Sequence, residues 1–177
     1  MPYHSLVQDW HDFYIVAGTA SATLVGLLFV SLSLHLRAVL ARREVRGLAR
    51  ATLANFGLVL LVALIVVIPQ DAHAAGLELQ ATGAISVLII AAPVLAASRS
   101  RTRTIPTWLL FMRFAFSVLG YAGAVTAGVL LTAGSYGAGL ASLAAATITL
   151  LVISLRNTWD LLVSVGEATV EHESRQH

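Results

Sequence analysis

The sequence predicts an all-α fold, a polytopic bundle of five membrane-spanning helices with the amino terminus outside and the carboxyl terminus in the cytoplasm. Three observations carry that expectation. Of 177 residues, 58% are hydrophobic and 11% charged, where soluble domains run at roughly half apolar and a quarter charged. Five stretches (13–36, 51–69, 79–97, 108–131 and 137–155) are apolar over nearly the ~20 residues that a helix needs to cross the hydrocarbon layer. The basic residues gather between alternate stretches, as they do when one side of a membrane retains them.

Taken in order, the first stretch, 13–36, carries no charge and stops at Arg37. The second follows Arg50 and ends on Pro69, which cannot continue a helix's hydrogen bonding. The third contains Pro93, expected to bend it where neighbouring helices compensate the lost bond. The fourth opens on Trp108 and holds Arg113 five residues in, and the fifth is rich in small residues. All five are continuously apolar, which excludes the alternating pattern of β-barrel strands. The connection 132–136 is short and Gly-rich, so the last two helices are expected to be antiparallel neighbours. Beyond Leu155 the helical period continues, with Leu155, Trp159, Leu162, Gly166 and Val170 on one stripe and Asn157, Asp160, Ser164, Glu167 and Glu171 on another. The chain therefore divides into an external segment 1–12, a membrane domain 13–155 and a cytoplasmic helical extension and tail 156–177. Trp10, Trp108 and Trp159 mark the interfaces.

Charge sets the orientation. Arg37, Arg42, Arg43, Arg46 and Arg50 lie in the first connection and Arg99, Arg101 and Arg103 in the third. With Arg113, Arg156 and Arg175, all 11 basic side chains then fall on the cytoplasmic side, while Asp9, Asp12, Asp71 and Glu78 fall outside. The first 12 residues lack the positive start of a cleavable signal, so the first helix is expected to remain. A pI of 9.5 with this distribution reports topology, and nucleic acid is not an expected partner.

The composition also narrows the chemistry. Cys is absent, which removes disulfides, thiolate nucleophiles and iron–sulfur ligation. The absence of Lys removes Schiff-base and phosphate-loop lysines. No acidic pair lies within an apolar stretch, and Ser86, Ser117 and Ser154 have no His at matching depth. No enzyme and no cofactor are expected. His11 and His73, near Asp12 and Asp71, are weak metal-ligand candidates without the spacing that would place them on one helix face.

Three groups of residues are the functional candidates. Gly18, Ala22 and Gly26 in the first helix, and Gly120, Ala124 and Gly128 in the fourth, repeat every fourth residue. Such ridges let backbones approach in lipid, either within the chain or between copies of it. Thr19, Thr23, Gly26, Val30 and Ser33 share one side of the first helix, diverging only slightly from its ridge, and could line a water-filled path if several copies surround an axis. Hydroxyls of this kind also bond the carbonyl three or four residues back. His35, Asn55, Arg113, Arg156, Asn157 and Asp160 fall at comparable depth and form an inner polar layer, in which Arg113 either snorkels to headgroups or faces Asn55 or Asp160. The Arg-rich connections suit anionic lipid headgroups.

The order Trp10-His-Asp-Phe-Tyr14, Gly18, then Ala22-Thr-Leu-Val-Gly-Leu-Leu-Phe-Val30 and Ser33-Leu34 resembles a family of small bacterial membrane proteins of unassigned function. Ile68-Pro-Gln70, Gly76-Leu-Glu-Leu79 and Asn157-Thr-Trp-Asp-Leu-Leu-Val163 are similar as well, while Asp160 and Ser164 depart from the pattern. Some members carry a label connecting them with a membrane-embedded ATP-dependent protease. The resemblance implies a five-helix bundle in a bacterial cytoplasmic membrane and transfers no catalytic residue. The expected function is a homo-oligomeric, channel-like bundle for ions or small solutes; the alternative is a non-catalytic accessory subunit of a larger membrane complex.

Overall fold

Two short connections explain most of the chain's course. At the first, Pro69 closes one helix and Asp71 opens the next. Ile68 N donates to Leu64 O (2.9 Å), and the Gln70 amide donates to Ile65 O (2.8 Å), satisfying a carbonyl that the helix end leaves open. Asp71 Oδ2 then accepts from His73 N (3.1 Å) and Ala74 N (3.2 Å), the N-cap arrangement that an Asp supplies to the first turn. At the second connection Gly134 takes φ +81°, with Gly134 N donating to Leu131 O and Ser135 N to Leu130 O. This is the paired-bond helix stop that needs a left-handed residue, which glycine adopts without a Cβ penalty.

The computed structural model describes residues 3–36, 43–99 and 107–174; the side chains of 43–44, 90–99, 107–115 and 164–174 lie outside that description. Five helices follow one another among these residues: α1 (Tyr3–Leu34), α2 (Arg43–Val67), α3 (Ala72–Arg99), α4 (Thr107–Thr132) and α5 (Tyr136–Ser174). The fold is all-α, as the apolar runs predict. Sequential helices pack as neighbours, α1 on α2, α3 on α4 and α4 on α5, while α2 also lies against α5 and α3. The expected antiparallel pairing across 132–136 is the α4–α5 pair, and α5 does continue as helix well past Leu155.

Among the described residues, three helices are long and apolar enough to cross a membrane, over Tyr3–Leu34, Val45–Val67 and Tyr136–Val163. The described part of α4 contributes a shorter apolar piece, Phe116–Thr132. The surface agrees with a lipid solvent. Val16, Leu27, Leu34, Leu88, Val152 and Trp159 are each more than 60% exposed, a density of bare large apolar side chains that a water-soluble monomer does not tolerate.

The segment 1–12, expected as a short external piece, is helical from Tyr3, and Leu6, Val7 and Trp10 pack on the main core. The Tyr3 ring meets Tyr136 edge-on at 5.6 Å. No Gly or Pro interrupts the chain between Tyr3 and Phe13, so the helix has no local reason to begin later.

The core is built around Tyr14, Phe56 and Tyr121, all fully buried. Tyr14 donates its hydroxyl to Leu140 O (3.2 Å), tying α1 to α5. A second, smaller cluster of Val45, Ala49 and Leu161, with Leu32 and Leu48 against it, closes the Arg-bearing end between α1, α2 and α5.

Candidate functional site: a buried polar layer and an open helix face

Side-chain contacts fix how the helices are staggered, and that stagger brings one buried polar side chain of every helix to a common level. Ser21 of α1 donates to Phe56 O of α2 at 2.7 Å. Next to it, Asn55 donates through Nδ2 to Ser117 Oγ of α4 (3.0 Å) and accepts at Oδ1 from the Tyr121 hydroxyl. The α4–α5 seam brings Gly123 beside Ala146 and Gly120 beside Leu150. Continuing that antiparallel register one turn, Ser154 falls level with Ser117. The α3–α4 seam pairs Gly83 with Tyr121 and Val125, which sets Ser86 level with the same turn of α4. Ser21, Asn55, Ser117 and Ser154 are at most 1% exposed and Ser86 is 8% exposed, with Thr52 and Asn157 buried on the adjacent turns.

Most of this layer is satisfied. Thr52 donates to Leu48 O and Ser86 to Thr82 O, each four residues back, the usual recourse of a hydroxyl in a helix. The exception is Ser154 Oγ, fully buried and without a hydrogen-bond partner among the described residues. Leaving such a group unpaired costs about 1–3 kcal/mol.

Of the expected inner polar layer, Asn55 is at the centre of the network and Asn157 is buried one turn from Ser154. His35 Nδ1 is 3.2 Å from Ser31 O on its own helix, and Arg156 is exposed. Asp160 is half-buried, and the side chain of Arg113 lies outside the described residues. The partners that complete Asn55, Ser117 and Tyr121, are unremarkable one at a time in sequence. The signal that could have found them is their spacing of four on one face of α4, opposite a lone Asn in an apolar run.

The two small-residue ridges behave differently. In α4 the whole ridge is used within the chain: a Cβ on Gly120 would lie 2.6 Å from Leu150 Cδ2, Ala124 is buried, and a Cβ on Gly128 would lie 2.5 Å from Gly76 O. In α1 only Gly18 is used, where a Cβ would lie 2.8 Å from Ala63 Cβ; Ala22 is exposed, and nothing lies within 4 Å of a Cβ on Gly26. Ala22 and Gly26 thus take no part in packing within the chain: at 3.6 residues per turn each step of four drifts by about 40°, which carries them off the core side while Leu28 and Leu32 stay on it. Gly76 and Gly83, which are not among the candidates above, are two helical turns apart and both lie on the α4 seam.

Thr19, Thr23, Gly26, Val30 and Ser33 are all exposed. At 3.6 residues per turn they centre on the side of α1 opposite the core stripe Tyr14, Ala17, Ser21 and Leu28. Thr23 donates to Thr19 O (2.9 Å) and Ser33 to Val30 O (2.8 Å), so both hydroxyls have a partner on α1 itself. Large apolar side chains are exposed on every helix, among them Leu27 and Phe29 on α1, Leu61 and Leu64 on α2, Leu88 and Ile89 on α3, Leu119 on α4 and Val152 on α5, while the first half of α5 also turns Gly137, Ala138, Ala141 and Ala145 outward.

His11 and His73 are not brought together with a third ligand. Among the described residues no group of three or more His, Asp or Glu side chains could hold a metal ion. The carboxylate nearest His73, Asp71, is engaged in capping α3. No family model matches the chain, and no curated protein or solved structure matches it. What the fold and these faces define is a class, an all-helical membrane protein whose polar groups are mostly paired inside the bundle and whose first helix presents a small, hydroxylated face outward.

Proposed function

We propose that the chain is a five-crossing protein of a bacterial cytoplasmic membrane that assembles with copies of itself through the outward face of α1. In the assembly, Thr19, Thr23, Gly26, Val30 and Ser33 turn to the axis and form a channel-like path for ions or small solutes. The observation that carries this reading is the inverted character of α1. Its most outward stripe places Thr19, Thr23, Gly26 and Ser33, all small or hydroxylated, where lipid contact favours bulky apolar groups and helix contact favours small ones. The Arg-bearing connections face the cytoplasm, and Arg46, Arg50 and Arg156 meet anionic headgroups there, at roughly 1 kcal/mol each.

Reconstitution in liposomes tests the path. Ion or small-solute flux above that of protein-free vesicles, reduced by Thr23→Leu, is the expected result. Flux equal to empty vesicles would exclude a channel and leave self-association to be judged separately. A second reading, an accessory subunit of a larger membrane complex, is favoured by α5. Its exposed Leu155, Trp159, Leu162 and Val163 extend a bare apolar stripe beyond the polar layer. Under that reading, removal of 163–177 abolishes co-purification with a fixed partner and flux is absent.

A further inference from the structure

We infer that the polar layer holds a bound water molecule between α4 and α5, seated on Ser154 Oγ. The inference is independent of any channel. Three hydroxyls on α5 close back on their own helix: Thr147 on Leu143 O (2.8 Å), Thr149 on Ala145 O (2.7 Å) and Thr158 on Ser154 O (2.8 Å). Ser154, on the same helix and fully buried, does not; its Oγ points into the bundle with neither its proton nor its lone pairs engaged among the described residues.

The groups level with it have matching capacity to spare. Ser117 Oγ accepts from Asn55 and has a proton that no acceptor takes among the described residues. Tyr121 donates to Asn55 and keeps lone pairs to accept. A buried water typically makes about three hydrogen bonds to groups that the protein leaves unsatisfied. Here it receives the Ser117 proton, donates to the Tyr121 oxygen and exchanges its remaining bond with Ser154. Gly120, whose missing side chain lets Leu150 close on α4, sets the separation of the two helices one turn from Ser154. The ligand class is water itself: the layer offers neutral donors and acceptors together, where a cation would require acceptors alone.

The test uses the full chain, isotopically labelled, in lipid bilayers, with solid-state NMR transfer of polarisation from water protons to carbon. Short mixing is expected to give signal at the Ser154 and Ser117 β-carbons at least threefold above that at Leu150 and Leu143, which lie on the same buried stripe. Ser154→Ala is expected to lower the Ser117 signal by half or more, and Ser154→Thr, which restores a hydroxyl, to retain it. Transfer at Ser154 no greater than at Leu150 would overturn the inference, with the hydroxyl closing on Leu150 O instead. Equal transfer along the whole stripe would overturn it as well, since bulk water would then be entering the bundle.

Discussion

Replacing Asn55 by Ala should expose how much the polar layer contributes, because one side chain serves two partners on another helix. The substitution removes the Nδ2–Ser117 bond and the Tyr121–Oδ1 bond, both between buried groups. Interhelical hydrogen bonds in lipid average about 0.6 kcal/mol and reach about 1.7, so the two together contribute on the order of 1 kcal/mol. Tyr121 is also fully buried and is left with a phenol donor and no acceptor, a cost of about 1–3 kcal/mol. The expected loss for Asn55→Ala is about 2 kcal/mol, read from reversible unfolding in mixed micelles titrated with a denaturing detergent. Tyr121→Phe alone should cost about 1 kcal/mol. The double variant should cost less than the two combined by at least about 0.5 kcal/mol, since Phe leaves no stranded donor. Additivity within about 0.3 kcal/mol would refute the shared network.

Other substitutions separate the packing claims. Gly128→Leu should destabilise the bundle by about 1–3 kcal/mol or more, because its Cβ meets the Gly76 carbonyl, whereas Gly26→Leu should leave monomer unfolding within about 0.5 kcal/mol. Asp71→Ala should cost about 1 kcal/mol by removing the α3 cap, and Asp71→Asn should recover most of it. Gly134→Ala, forced to φ +81°, should cost about 1 kcal/mol, while Gly137→Ala next to it should not. All are read in the same unfolding titration.

The helices were legible because lipid demands one kind of segment, and length with charge is enough to recognise it. The α4–α5 pair was legible from Gly134 and the short link, and α4's use of Gly120, Ala124 and Gly128 from their spacing. Two things were not. The docking of the first turns of α1 on the core, where Tyr3 meets Tyr136 more than a hundred residues away, is a contact that no local pattern encodes. The stagger between helices likewise decides which hydroxyls meet. Ser21, Asn55, Ser117 and Ser154 share no motif, and they fall at one level only once Gly18, Gly83 and Gly120 have set how closely and in what register their helices touch. The α1 ridge could be seen in the sequence, but its division into a buried half, Gly18, and an open half, Ala22 and Gly26, needs the side on which α2 touches α1.

Self-association through α1 is tested most directly by cross-linking, and the absence of Cys makes the natural chain a clean background. A single Gly26→Cys, at a position open within the chain, is oxidised in the membrane beside Val152→Cys, which is equally outward on α5. Disulfide-linked dimers are expected from Gly26→Cys at several times the yield from Val152→Cys. Equal, low yields from both positions would contradict self-association through α1 and leave its hydroxylated face turned to lipid.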